Sequence, residues 1–154
     1  MRPKTPQDLT VKEVITLDIG AKYTPPPIVS SRKVLLLEDR DDFREVIRDY
    51  LVSRSYEVIS ANSGIEGLRM IMNDGGFDVI LCDMLMPRMG GEMFYWAVTR
   101  ARPGTRQRFI FFTGHKNNPR IEFFFRRINA TVLYKPFKLS VLDAAISDVF
   151  RKSG

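Results

Sequence analysis

The sequence predicts an α/β fold in which a five-stranded parallel sheet is covered by helices on both faces. Three observations lead there. From Lys33 onward, short apolar runs alternate five times with stretches whose apolar residues recur at helical spacing. The short runs are apolar at consecutive positions, as strands are when both faces of a parallel sheet are buried. Turn residues such as Asp74-Gly75-Gly76 separate a helical stretch from the strand that follows.

The first strand is Val34-Leu35-Leu36-Leu37. Phe43, Val46, Ile47, Tyr50 and Leu51 then recur at i, i+3, i+4, i+7 and i+8, the stripe of an amphipathic helix. Glu57 to Ala61 is the second strand. Ser63 and Glu66 form a capping-box signature for a helix with Leu68, Ile71 and Met72 inward, ended by Asp74-Gly75-Gly76. The third strand lies in FDVILCDMLMPRMGG, Phe77 to Gly91, and a helix from about Glu92 to Arg100 follows. Phe109 to Phe112 is the fourth strand. Residues 119–128 form a helix with Ile121, Phe124, Phe125 and Ile128 on one face. Thr131 to Tyr134 is the fifth strand, and Ser140 is expected to cap a last helix with Leu142, Ala145, Ile146 and Val149 inward.

The first thirty-two residues differ. They hold Pro3, Pro6 and the run Pro25-Pro26-Pro27, which cannot continue a helix or central strand. Val11 to Leu17 suits a short strand or a helical turn; periodicity this brief does not separate the two. Residues 1–32 therefore read as an extension ending in a stiff linker, expected to add little stability, and 33–154 as the domain.

Composition excludes several classes. The 154 residues suit one domain with a real core, and 44% hydrophobic content is ordinary for a soluble protein. No apolar run approaches the ~20 residues of a membrane span, and MRPKTPQDLT lacks the core of a secretory signal, so a cytoplasmic location is the default. The single Cys82 excludes an intramolecular disulfide and a cysteine-rich zinc site. The net charge of +6 raises nucleic acid as a ligand, with Arg100, Arg102, Arg106 and Arg108 crowded together and Arg126 and Arg127 adjacent. No recognisable nucleic-acid-reading module surrounds them, and nucleic acid is not the expected partner.

Ligands of open parallel sheets bind beyond the carboxyl ends of the strands. Here the first strand ends in Glu38-Asp39, the third in Asp83, the fourth in Thr113-Gly114 and the fifth in Lys135-Pro136. Taken alone, Asp83 could simply turn the chain. Three convergent carboxylates, however, repel one another unless a proton or cation intervenes. Such oxygen ligands suit Mg²⁺, while Lys135 supplies a positive charge and Thr113 a hydrogen bond for a phosphoryl oxygen. Together these groups would stabilise an anion transferred to a carboxylate.

At this point the chain resembles the receiver domains of two-component response regulators. The motifs are VLLLEDRDDF, DVILCDMLMPRMGG around Asp83, FIFFTG and LYKPF, in order across residues 33–152. The resemblance implies a flavodoxin-like three-layer sandwich with strand order 2-1-3-4-5, two helices on one face and three on the other. It implies that Asp83 accepts phosphate from a sensor histidine kinase or histidine phosphotransfer protein and then changes how a downstream protein binds. Asp39 would bind Mg²⁺ directly, Glu38 through water, and Leu85 through its carbonyl; Lys135 and Thr113 would hold phosphate oxygens, and Lys135-Pro136 would be cis. The only catalysis implied is phosphotransfer to its own aspartate and slow dephosphorylation. Two other readings are a degenerate receiver serving as a phosphorylation-independent scaffold and a basic nucleic-acid-binding module.

Several positions depart from the family pattern or stay open. Glu38 stands where Asp is frequent, and a longer acid still reaches a water-mediated metal. Gly114 is either the small residue that gives access to Asp83 or a turn glycine. His115 either faces the phosphoryl group or is an exposed loop histidine. Val132 lies where many receivers carry an aromatic; Tyr134, on the same face by pleat alternation, is the candidate replacement. The Asn129-Ala130-Thr131 connection looks one residue short. Phe123 falls off the inward stripe of its helix, marking either a partner surface or packing under a loop, and Tyr95 and Trp96 raise the same alternative.

Overall fold

The computed structural model describes Pro3 and residues 8–16, 32–74 and 76–153. Pro6, Leu17, Pro25-Pro26-Pro27 and Gly75, on which parts of the linker and helix-end readings rest, lie outside them. Seven strands and six helices follow one another in the described residues: α1 (Val11–Val14), β1 (Ile15–Thr16), β2 (Lys33–Leu37), α2 (Asp41–Ser53), β3 (Glu57–Ala61), α3 (Gly64–Asn73), β4 (Val79–Asp83), α4 (Gly91–Ala101), β5 (Phe109–Thr113), α5 (Pro119–Ile128), β6 (Thr131–Tyr134), β7 (Phe137–Lys138) and α6 (Leu139–Ser153). A 3-10 turn, Pro103–Arg108, leads into β5.

Five strands form the main parallel sheet in the order β3-β2-β4-β5-β6, the 2-1-3-4-5 arrangement. Pleat alternation divides its side chains between two cores. Val34, Leu36, Leu81, Ile110 and Phe112 pack with α2 and α6, while Leu35, Leu37, Ile80, Phe109 and Phe111 pack with α3, α4 and α5. Two helices thus cover one face and three the other. This is why the central strands show runs rather than alternation: β4 and β5 are buried at every position and β2 at all but its first.

Local chemistry accounts for the boundaries. The Ser63 hydroxyl accepts from the Glu66 N–H at 3.2 Å, but the Glu66 carboxylate accepts from the Asn62 N–H, not from Ser63, so the box closes one residue early. Met72, expected inward, is exposed; the stripe of α3 ends at Ile71. Asn118 caps α5 by accepting from the N–H groups of Arg120 and Ile121, and Pro119 at the first position needs no acceptor. Asn129, at φ 53°, ends that helix in the left-handed conformation, which lets β6 begin two residues later and explains the short connection. Ser140 lies inside α6, which starts at Leu139, rather than capping it.

The N-terminal segment departs most from expectation. Thr10 and Glu13 form a reciprocal capping box, Thr10 N–H to Glu13 at 2.8 Å and Glu13 N–H to Thr10 at 3.3 Å, which nucleates α1. The chain then straightens, so a helical turn and a short strand follow one another over Val11–Val14 and Ile15–Thr16. β1 pairs in parallel with β7, Ile15 opposite Phe137 and Thr16 opposite Lys138. Ile15 is only 2% exposed and belongs to the core under α2 and α6, with Leu9 and Val11 packed against it. Ile15 in this core gives part of residues 1–32 a packed position that their composition does not signal. A two-residue strand is too short for periodicity to announce.

Truncating Ile15 to alanine is accordingly expected to cost about 2 kcal/mol, the low end for a buried aliphatic residue. In a chain of this size that lowers the thermal midpoint by roughly 4–8 °C. An unchanged melt would return the segment to a passive extension.

Candidate functional site

Because the five strands run in parallel, their carboxyl ends share one rim. Asp83 is the last residue of β4, Thr113 the last of β5, Glu38 and Asp39 follow β2, and Lys135 follows β6. A cavity of about 450 Å³ opens there, lined by Glu38, Asp39, Asp83, Leu85, Gly114, His115 and Lys135, together with Arg40 and the loop after Asp83. The four motifs, far apart in the chain, therefore meet at one pocket.

Charge is concentrated on this rim. The Lys135 Nζ lies 3.3 Å from Glu38 Oε1 and 3.5 Å from Asp83 Oδ1. The Met84 N–H donates to Asp83 Oδ1 at 2.9 Å, so the acid that looks bare in sequence is held from two sides. One carboxylate oxygen from each of Glu38, Asp39 and Asp83 falls within 4.8 Å of the others. Glu38 is fully buried, and burial, with the neighbouring Asp83 carboxylate, pushes its carboxyl up to about 9 against the pull of Lys135. Its Oε2 is buried and has no hydrogen-bond partner among the described residues. A buried, unpartnered oxygen beside two further carboxylates is a donor set that suits a hard divalent cation.

The surrounding backbone fixes these side chains. A Cβ on Gly91 would lie 2.8 Å from the Asp83 carbonyl and 2.9 Å from the Met84 sulfur, so only glycine lets α4 begin this close to the acid. Thr113, 1% exposed, accepts from the His115 N–H at 2.9 Å through its hydroxyl, and its carbonyl accepts from the Lys135 N–H at 2.8 Å. The Lys135-Pro136 peptide is cis. His115 is half-buried on the cavity wall, its Nε2 buried and without a partner among the described residues, which is not the environment of an exposed loop histidine.

Other singled-out residues lie away from the cavity. Val132 packs, half-buried, into the core beneath α5, whereas the Tyr134 hydroxyl donates to Glu122 of α5 at 2.7 Å. Burial and that carboxylate push the Tyr134 phenol up to about 12, so it remains a donor at neutral pH. Phe123 is 62% exposed. Tyr95 is a core residue, while Trp96 reaches the surface with the Arg127 guanidinium over its ring. Of the crowded arginines, Arg102 and Arg108 donate to the carbonyls of Met72 and Phe77, a structural use of cations proposed for nucleic acid.

Sequence reasoning missed Phe43. It was assigned to the core stripe of α2, and it is fully buried, yet the Lys135 ammonium sits 4.6 Å from its ring centroid. No local signal marks this contact, because residues 43 and 135 meet only through the fold.

A family model described as the response regulator receiver domain matches residues 34–147. The chain is 30% identical over 125 residues to a probable chemotaxis protein CheY of Rhizobium etli, covering 80% of this chain and 95% of that one. It is 32% identical over 127 residues to the sensor kinase CckA of Brucella abortus, covering 79% of this chain but only 13% of the kinase. Among solved structures, a CheY-like receiver domain protein from Methanospirillum hungatei aligns with a TM-score of 0.72 at 25% identity, over 80% of this chain and 97% of the other. Among the described residues no helix is long and apolar enough to cross a membrane.

A proton retained by Glu38 makes stability depend on pH. Below pH 4.5 the carboxyl is protonated whether folded or not; above it the unfolded chain ionises while the fold keeps its proton until about 9. Stability of the metal-free protein should therefore fall across that window by up to about 1.4 kcal/mol per pH unit. Glu38→Gln should remove this slope and raise the midpoint at the alkaline end. Parallel melting profiles for variant and wild type would refute the retained proton.

Proposed function

Given that the chain belongs to the response regulator receiver domain family, the receiving module of two-component signalling, we propose that Asp83 is its phosphoacceptor. The observation that carries this reading is the Asp83 carboxylate at the strand-end cavity, 3.5 Å from a lysine ammonium and beside two further acids. A carboxylate oxygen of Asp83 attacks the phosphorus of a phosphohistidine; the new O–P bond replaces the N–P bond, and the imidazole leaves with its electron pair. Lys135 neutralises a phosphoryl oxygen, and Thr113, at the end of the adjacent strand, turns its hydroxyl to donate to another. Glu38, Asp39, Asp83 and the Leu85 carbonyl would hold Mg²⁺. When bound, the cation offsets the charge that accumulates as a phosphoryl group meets three acids.

The donor class is a sensor histidine kinase or a histidine phosphotransfer protein, and the receiver comprises residues 33–154. The relatives include both a chain of nearly the same extent and a kinase in which the match is a small fraction, so both contexts suit this domain. The signal to a downstream protein would run from Thr113 through the His115 loop into α5, where Tyr134 holds Glu122. Phe123 on that helix is a candidate partner contact.

With acetyl phosphate and Mg²⁺, wild type should acquire one acid-labile phosphoryl group. Asp83→Asn should abolish labelling, and Asp39→Ala should reduce it at least about tenfold, the scale for removing a charge-stabilising group. Undiminished labelling of Asp83→Asn would overturn the assignment. Absence of labelling in wild type would instead support the phosphorylation-independent scaffold.

The route to α5 has its own test. On addition of beryllofluoride, a phosphoryl mimic, amide shifts across residues 115–128 should change in wild type. Tyr134→Phe should bind the mimic yet show a smaller response there. An unaltered response would exclude Tyr134 from the route.

A further inference from the structure

We infer that the N-terminal arm is a positioning element of the phosphoryl pocket, with Ile15 acting through Phe137 and Phe43 on the Lys135 ammonium. The inference rests on the role proposed for Lys135, but its geometry stands independently. β1 is paired with β7, which begins two residues after Lys135. Ile15, opposite Phe137, is sealed into the core that also holds Phe43. The Phe43 ring stands edge-on to Phe137 at 6.1 Å and to Phe112 at 5.8 Å, and Phe112 stacks on Phe137 at 5.4 Å. Three rings thus brace one another, and Ile15 packs into their cluster. Over the Phe43 ring rests the Lys135 ammonium, 4.6 Å from the centroid.

The physical consequence concerns where that ammonium sits. Two carboxylates, at 3.3 and 3.5 Å, draw Lys135 toward the rim, and the electron-rich face of Phe43 supports it from the apolar side. A long, flexible lysine stem holds a point charge in one place only when its surroundings are close-packed. Removing the methyl groups of Ile15 leaves a void behind Phe137, into which the bracing rings can relax. Phe43 would then tilt, and the ammonium would lose its seat.

The test uses the full chain, well below its melting midpoint, in wild type, Ile15→Ala, Ile15→Val and Phe43→Leu. Ring current from Phe43 should shift the Lys135 ε-methylene resonance upfield in wild type. That shift should collapse in Phe43→Leu, shrink in Ile15→Ala and persist in Ile15→Val. Labelling by acetyl phosphate should slow by roughly tenfold in Ile15→Ala, the scale on which sub-ångström misplacement slows a reaction, and recover in Ile15→Val. If Ile15→Ala only lowers the melting midpoint while the shift and rate stay at wild-type values, the arm is merely structural and the inference falls. Should wild type not label at all, the phosphoacceptor reading fails, and the methylene shift alone still decides whether Ile15 positions Lys135.

Discussion

The unfavourable gathering of Glu38, Asp39 and Asp83 is the constraint on which the rest of this molecule depends. Carboxylates within 4.8 Å of one another cannot all be ionised in a partly buried pocket without a compensating charge. Here the Lys135 ammonium supplies part of the compensation, and burial beside Asp83 pushes the Glu38 carboxyl upward, disfavouring its charged form. Such a cluster is tolerable only where a rigid scaffold holds it, and the parallel sheet supplies that scaffold. Four strands deliver residues at or just past their ends to one rim, and the helices close-packed on both faces of the sheet hold them there.

The same charges explain the surrounding packing. Gly91 brings α4 against the backbone of Asp83, and the Met84 N–H points into its carboxylate. Lys135 approaches from the far side of β5, between acids and the Phe43 ring. The aromatic brace behind that ring reaches to Ile15, a residue from outside the alternating strand–helix pattern. A segment that looks dispensable in composition is therefore continuous with the core beneath the pocket.

α5 stands in a different relation to the pocket. Its start follows the Thr113–His115 loop closely, its middle is tied to β6 by the Tyr134–Glu122 bond, and its outer face carries Phe123. One helix thus touches both the strand-end chemistry and the solvent. Position 132 carries no aromatic ring, and the aromatic of β6 that reaches α5 is Tyr134.

Much of this was legible in the sequence. Consecutive apolar positions bounded by turn residues determined the buried central strands, because a sheet covered on both faces buries residues of either parity. Asp83, Thr113, Lys135 and the Glu38–Asp39 pair were legible too, since each closes such a run. What tertiary structure alone decided has a common physical origin in long-range contact. The docking of Ile15 needs the β7 backbone, 122 positions onward. The seat of Lys135 on Phe43 and the tie from Tyr134 to Glu122 join elements that no periodicity relates. Even the partial retention of a proton by Glu38 belongs to the fold, because desolvation is a property of what surrounds a carboxyl, and the residue's own identity carries no record of it.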